Sequence, residues 1–325
     1  MASSASDQPA PVEVRGLVKT YGELTAVAGV DLTVEPGDVY GYLGPNGAGK
    51  TTVLRMLLGL IRPTAGQVRV FGRDPQRDPV AALRGVAGFV EAPRFYPYLT
   101  GRKNLELLAA LDGGGARSRI DAALDVVELA ERAKDKVGGY SHGMRQRLGV
   151  AGALLRDPQL LLLDEPATGL DPAGMRDMRA LVARLSEAGT TVLLSSHLLN
   201  EVEELCNRVA IVRTGSIVYE GRLADLKATV GGEWRLRTTD DVRALAICEA
   251  QRGLSAVRAD GLELRFAAAE AAVEQLSIAL VESGLAIRAL APHAAALEDL
   301  FFRLTEGDAT PTGSRQATRD AAGVS

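Results

Sequence analysis

Sulfur and imidazole are scarce in this sequence. The two cysteines, Cys206 and Cys248, lie far apart, and the three histidines, His142, His197 and His293, are scattered. Neither set has the close spacing of a structural metal site or the density of a disulfide framework. The cysteines are expected to be reduced and buried. A long apolar run is missing too. A bilayer-spanning helix needs about 18 apolar residues in succession, whereas the stretch 160–163 ends at once in Asp164 and Glu165. There is no basic excess, because 37 Lys and Arg face 41 Asp and Glu for a net charge of -4. That removes the electrostatic case for nucleic acid as a main partner. The local run Met144-Arg145-Gln146-Arg147 reads as helix surface. Residues 1–11 are rich in Ser, Ala and Pro, without a basic segment leading into an apolar block. They read as a disordered tail rather than a secretion signal. A soluble, cytosolic chain is expected.

What is present is the material for two cores. Hydrophobic residues make up 46% of 325 positions, and a domain takes roughly 100 to 200 residues. Strand patterns are read at 12–20, 30–34 and 39–43, then a Gly-rich turn and a helix over 50–60. Alternation returns at 67–71 and apolar residues at 86–90. From about 100 to 156 the pattern is helical, with Leu105, Leu108 and Ala109, then Ala123, Val126, Val127 and Leu129, at three- and four-residue spacing. The wholly apolar run 160–163 suits a buried parallel strand, and 191–195 is another. Between them Asp171 and Pro172 predict a helix start, running to 187. Strands alternating with helices imply an α/β core with a mostly parallel sheet.

Near residue 227 the texture changes. Strand 234–238, helix 240–251, strands 255–259 and 262–266, helix 268–282 and strand 286–290 follow in the order βαββαβ. That is the order of a small ferredoxin-like unit. A helix at 296–304 closes it, with an apolar face of Leu297, Leu300, Phe301 and Leu304. Residues 306–325 are polar and rich in Gly, Ser and Thr, and read as a disordered tail. The expected organisation is therefore a core over 12–226, with a helical subdomain at about 92–156, and an accessory α+β domain over 227–305.

One segment carries explicit chemistry. Gly44-Pro45-Asn46-Gly47-Ala48-Gly49-Lys50-Thr51 has the spacing G-x-x-x-x-G-K-[ST], between a predicted strand and helix. Glycines let backbone N–H groups turn inward around phosphate oxygens, and the following helix presents its positive end to the same anion. Gly44, Asn46, Gly47, Ala48, Gly49, Lys50, Thr51 and Thr52 are the expected nucleotide contacts. Lys50 would hold the β- and γ-phosphates and Thr51 would ligate Mg²⁺. The run 160–163 delivers Asp164 and Glu165 to a strand end, where ligands gather in open α/β sheets. Asp164 would reach the metal, and Glu165 would act as general base on water. Adjacent acids after a strand are ordinarily a solvated strand end; beside a phosphate loop they become a catalytic pair.

Five motifs in order carry a resemblance: the loop at Lys50, Ser141-His142-Gly143-Met144-Arg145-Gln146-Arg147, Leu163-Asp164-Glu165-Pro166, Gly169-Leu170-Asp171-Pro172 and Ser195-Ser196-His197. Over about 12–225 the chain resembles the ATP-binding subunits of ABC transporters. The resemblance implies that Tyr21 stacks on adenine and that Ser141 and Gly143 contact the γ-phosphate held by a second copy. It implies that Asp171 links the two sites and that His197 is a switch near the γ-phosphate. Two features depart from the family pattern. The signature reads Tyr140-Ser141-His142-Gly143-Met144 rather than Leu-Ser-Gly-Gly-Gln, and Glu91 stands where glutamine is usual. A glutamate there could sit near Mg²⁺ but only accepts hydrogen bonds. Both departures, with the stretch Phe95-Tyr96-Pro97-Tyr98-Leu99-Thr100 as a surface for a permease helix, look like the daunorubicin-type and bacitracin-type exporters.

The resemblance implies an ATP- and Mg²⁺-dependent ATPase that powers a separate integral-membrane permease from the cytoplasmic face, exporting a drug, antibiotic or lipid-like cargo. One phosphate loop per chain implies a second copy of the chain. The rival readings are a soluble ABC ATPase acting on ribosomes or DNA, and a regulatory paralogue without turnover. The first of these usually carries two ATPase units or long coiled coils, which are absent from this sequence.

Overall fold

The computed structural model describes residues 9–112, 115–230, 233–261, 263–292 and 301. The core begins with β1 (Val12–Tyr21), β2 (Leu24–Val34) and β3 (Val39–Leu43), then α1 (Lys50–Leu57), β4 (Ala65–Val70), α2 (Pro79–Ala82) and β5 (Val86–Phe89). Three helices follow, α3 (Gly101–Leu111), α4 (Ile120–Val126) and α5 (His142–Leu154). The chain returns through β6 (Leu160–Asp164), α6 (Pro172–Glu187), β7 (Thr191–Ser196), α7 (Leu199–Leu205), β8 (Arg208–Arg213), β9 (Ser216–Arg222) and α8 (Leu223–Val230).

The central sheet has the order β5-β6-β7-β3-β8-β9, parallel except for the β8–β9 hairpin. Every residue of β3, β6 and β7 is buried, as strands covered on both faces must be. Leu161 and Leu163 join a core shared with α3 to α6, while Leu160 and Leu162 face a second core built from α1 and the β2-β1-β4 sheet. Leu162 is 0% exposed, so Leu162→Ala should cost about 2–5 kcal/mol of stability. A denaturant midpoint that barely moves would contradict that packing.

Several readings meet the structure at their limits. Helix α6 runs over Pro172–Glu187, and the Asp171 carboxylate caps it by accepting from the Gly174 N–H at 2.9 Å. The 100–156 region is helical, but broken into three helices, because residues 127–141 carry turns between α4 and α5. The strand read at 30–34 starts earlier, at Leu24, where pairing with β1 continues through register shifts. The hairpin β8–β9 has no counterpart in the pattern reading. Part of the proposed N-terminal tail is ordered: the Pro11 carbonyl accepts from the Phe71 N–H at 3.2 Å.

The second unit comprises β10 (Glu233–Thr238), α9 (Asp241–Ala250), β11 (Leu254–Asp260), β12 (Glu263–Ala268), α10 (Glu270–Glu282) and β13 (Ile287–Pro292). Its antiparallel sheet has the order β11-β12-β10-β13, the interleaved order of a βαββαβ ferredoxin-like unit. Leu236, Leu264 and Phe266 pack against Ala244 and Cys248 of α9 and Val273, Leu276 and Leu280 of α10. The helix expected at 296–304 and the tail 306–325 lie outside the described residues, apart from Phe301, which packs against the core shared by α3 to α6. Cys206 and Cys248 are both buried and unpaired.

Candidate active site

Three neighbouring strands bring the chemical groups together. In the register of the sheet Leu43 lies beside Ser196, and Ser195 beside Asp164. The ends of β3, β7 and β6 are therefore level, and the loop 44–49, His197 and Glu165 follow them directly. The Gly44 N–H donates to the Ser196 carbonyl at 3.1 Å, joining the loop's start to β7. Glycine is required twice in this loop. A Cβ at Gly49, which has φ 92°, would lie 2.2 Å from the Ala26 carbonyl oxygen, and one at Gly44 would lie 2.5 Å from that of Val212.

Lys50 begins α1 and is 4% exposed. Its ammonium donates to the carbonyls of Gly44 at 2.8 Å and Pro45 at 3.1 Å, and meets Glu165 Oε1 at 3.2 Å. The other carboxylate oxygen of Glu165 accepts from the Thr168 hydroxyl at 2.8 Å and lies 3.0 Å from His197 Nδ1. Burial by itself would raise the Glu165 carboxyl. The Thr168 hydroxyl, the Lys50 ammonium and His197 together outweigh it and hold the carboxyl below its ordinary value. An ionised Glu165 can accept a proton. Its φ of 48° is unusual for a non-glycine residue, and such strain gathers at functional positions.

Asp164 is buried, and both of its oxygens accept hydrogen bonds. Oδ1 accepts from the Ser195 hydroxyl at 2.6 Å; Oδ2 accepts from the Thr51 hydroxyl at 2.9 Å and from the Glu91 N–H at 3.3 Å. Thr51 and Asp164 thus offer adjacent oxygens of the kind a hard divalent cation prefers. Glu91 reaches this pair through its backbone only. Its φ is 67°, and its carboxylate is paired with the Arg55 guanidinium, where the sequence had suggested a place beside the metal.

A cavity of about 310 Å³ opens over the loop, lined by Tyr21, Leu24, Ala26, Asn46, Gly47, Gly49, Lys50, Thr51, Thr52 and Glu165. Tyr21 is 46% exposed, with the Lys19 ammonium 4.9 Å from its ring centroid. Ala48, also expected at the nucleotide, is a loop residue turned into the second core. A larger cleft of about 690 Å³ runs along residues 62–77 and shares no lining residue with this cavity. Ser141 and Gly143 do not line the cavity over the loop. Ser141 caps α5 by accepting from the Met144 N–H at 3.2 Å, and a Cβ at Gly143 would meet Leu170 at 3.7 Å. Asp171 serves as the α6 cap. The structure therefore assembles Tyr21, the loop, Asp164, Glu165 and His197 in one place, and leaves Ser141, Gly143 and Asp171 outside it. Ser195 and Thr168 were not anticipated in roles of their own. Ser195 lay inside a motif, while a lone threonine after Glu165 gave no signal.

Residues 27–168 match the family described as ABC transporter. The bacitracin transport ATP-binding protein BcrA of Bacillus licheniformis is 38% identical over 299 residues, 91% of this chain and 97% of that protein. The chain belongs to the ABC transporter ATP-binding family. The daunorubicin resistance ATP-binding protein DrrA3 of Streptomyces coeruleorubidus is also 38% identical, over 91% of this chain and 96% of the relative. Among solved structures, a dimeric ATP-binding cassette in a post-hydrolysis state with ADP and phosphate is 27% identical, with a TM-score of 0.57 over 65% of this chain and 98% of that one. As a member of this family the chain is an ATP-binding ATPase. ABC ATPase subunits work with a membrane permease and dimerise. Among the described residues no helix is long and apolar enough to cross a membrane.

Proposed function

We propose that this ABC ATPase is the motor of an exporter, hydrolysing ATP at the cytoplasmic face of the membrane to drive a separate permease. The observation that carries the catalytic part is Glu165, bracketed by Lys50 at 3.2 Å and His197 at 3.0 Å above the phosphate loop. In this reading the backbone N–H groups of the loop and the Lys50 ammonium hold the β- and γ-phosphates. Tyr21 stacks on adenine at the mouth of the cavity. Glu165 takes the proton of the attacking water, and His197 fixes the direction of its Oε2. Thr51 and Asp164 would hold Mg²⁺, which when bound neutralises phosphate charge. Exposed Ser141 and half-buried Gly143, at the head of α5 and apart from this chain's own cavity, are assigned to the nucleotide of a second copy, and Asp171 to the contact between copies. ATP binding then favours a closed pair, and loss of the γ-phosphate removes what bridges it.

Glu91 has no metal role in this proposal, since its carboxylate faces Arg55 across an exposed ion pair worth little. Glu91→Gln should leave ATP affinity within about threefold of wild type. A fluorescence titration showing lost binding would reveal a role for the carboxylate.

The likeness to proteins named for bacitracin transport and daunorubicin resistance supports a drug, antibiotic or lipid-like cargo. Phe95–Thr100 offers an exposed aromatic surface for the permease, with Tyr96 at 54% and Tyr98 at 65% exposure. The second unit is assigned an accessory role in dimerisation. The test is co-purification of the chain with a membrane permease, followed by ATP-dependent efflux of an amphipathic drug from cells expressing both. Efflux that persists with Glu165→Gln would sink the motor assignment, and co-purification with ribosomes or DNA instead would favour the soluble rival.

A further inference from the structure

The signature turn carries a side chain that nucleotide contact leaves unused. His142 stands where the Leu-Ser-Gly-Gly-Gln pattern has its first glycine, and it is the first residue of α5. Its Nε2 lies 3.2 Å from the Thr168 carbonyl oxygen. A carbonyl only accepts, so this ring nitrogen is assigned as the donor. Thr168 is in turn bound to the base. Its hydroxyl donates to Glu165 Oε2 at 2.8 Å, and its N–H donates to the Glu165 carbonyl at 3.2 Å.

The Thr168 carbonyl belongs to no helix or strand. The next residue, Gly169, has φ 76° and turns the chain away, so this acceptor depends on a partner from another element. His142 supplies that partner from α5. Oε2 of Glu165 is aimed by two groups, the Thr168 hydroxyl and His197 Nδ1. His142 therefore steadies the backbone from which one of the two projects. A glycine at 142 could not make this link.

We propose that His142 is a positioning residue, tying the signature turn to Thr168 and, through the Thr168 hydroxyl, setting the carboxylate of Glu165. This rests on the two-copy ATPase reading above and deepens it. Where the signature turn of each copy meets the nucleotide of the other, His142 connects that contact to the base of its own phosphate loop. Closure at one site then biases the base at the other, which is a coupling between two sites through a shared two-state element.

The test measures ATP turnover against ATP concentration on the full chain, with affinity titrated separately using a fluorescent ATP analogue. His142→Leu keeps bulk and removes the donor, whereas His142→Gln restores an N–H at similar reach. The leucine variant should lose about tenfold in kcat, with affinity unchanged within about twofold, and the glutamine variant should regain most of the loss. The wild-type curve should be steeper than a hyperbola, and that of the leucine variant hyperbolic. Equal losses in both variants, or none in either, would overturn the positioning role, and a hyperbolic wild type would overturn the coupling. A wild type without any turnover would instead sink the ATPase reading and this inference with it. Normal wild-type turnover with unchanged variants would remove His142 alone.

Discussion

Replacing Glu165 with glutamine is expected to leave ATP binding in place while turnover falls roughly 10²–10⁴-fold, the range for loss of a general base. The contacts around the side chain explain why the two effects separate. Oε2 accepts from Thr168 and lies at His197 Nδ1, while Oε1 faces the Lys50 ammonium. A glutamine can keep its single oxygen at the Thr168 and His197 position, so the local geometry survives. Its amide N–H₂ would then face Lys50, a clash of donors that eases when the ammonium turns to a phosphate. What vanishes is the capacity to accept a proton. The variant should therefore accumulate as an ATP-bound pair of copies, eluting earlier than the wild type in size-exclusion chromatography with ATP and Mg²⁺. Near-normal hydrolysis would refute the assignment of Glu165 as base.

The parts of this site visible in the sequence are those where one local pattern sets the chemistry. Gly44 and Gly49 of the loop are dictated by close approach to Val212 and Ala26, and their spacing before Lys50 shows it. The run 160–163 is apolar on both sides because the sheet is covered on both faces. Asp171 before Pro172 is a cap wherever it occurs. The hairpin β8–β9 escaped the same reading although Thr214-Gly215 is a turn signal between two strands. Its second strand is only partly buried and is interrupted by Glu220 and Arg222, which dilute the alternation. Ser195 and Thr168 could not be assigned because their meaning lies in hydrogen bonds across the fold, and a hydroxyl on its own announces nothing. The direction of Glu91 depends on a positive φ and on Arg55, 36 residues away in sequence. Neither is encoded in the neighbours of Glu91. The signature residues are legible for the opposite reason: their pattern is local, while the task proposed for them falls outside the cavity of their own chain.

Lys50→Ala should weaken ATP binding by about a hundredfold or more, the scale of losing one partner from a buried charged contact. The Lys50 ammonium makes its contacts inside the loop and at the base, with Gly44, Pro45 and Glu165. A buried ammonium is tolerated only when paired in this way, and a phosphate oxygen would be a stronger acceptor than either carbonyl. Alanine removes that attraction and also strips Glu165 of the lysine counter-charge, leaving its Oε1 to face the phosphates without the ammonium. The two contributions are separable. Lys50→Ala combined with Glu165→Gln removes the repulsion but not the missing attraction, so it should recover part of the lost affinity and none of the turnover. Nucleotide titrations of the two variants, with thermal melts to confirm that both fold, would measure each share. If the single variant binds ATP as tightly as the wild type, the loop is not the phosphate cradle. If the double variant binds no better than the single one, the loss lies in the direct lysine–phosphate contact and Glu165 does not repel the nucleotide.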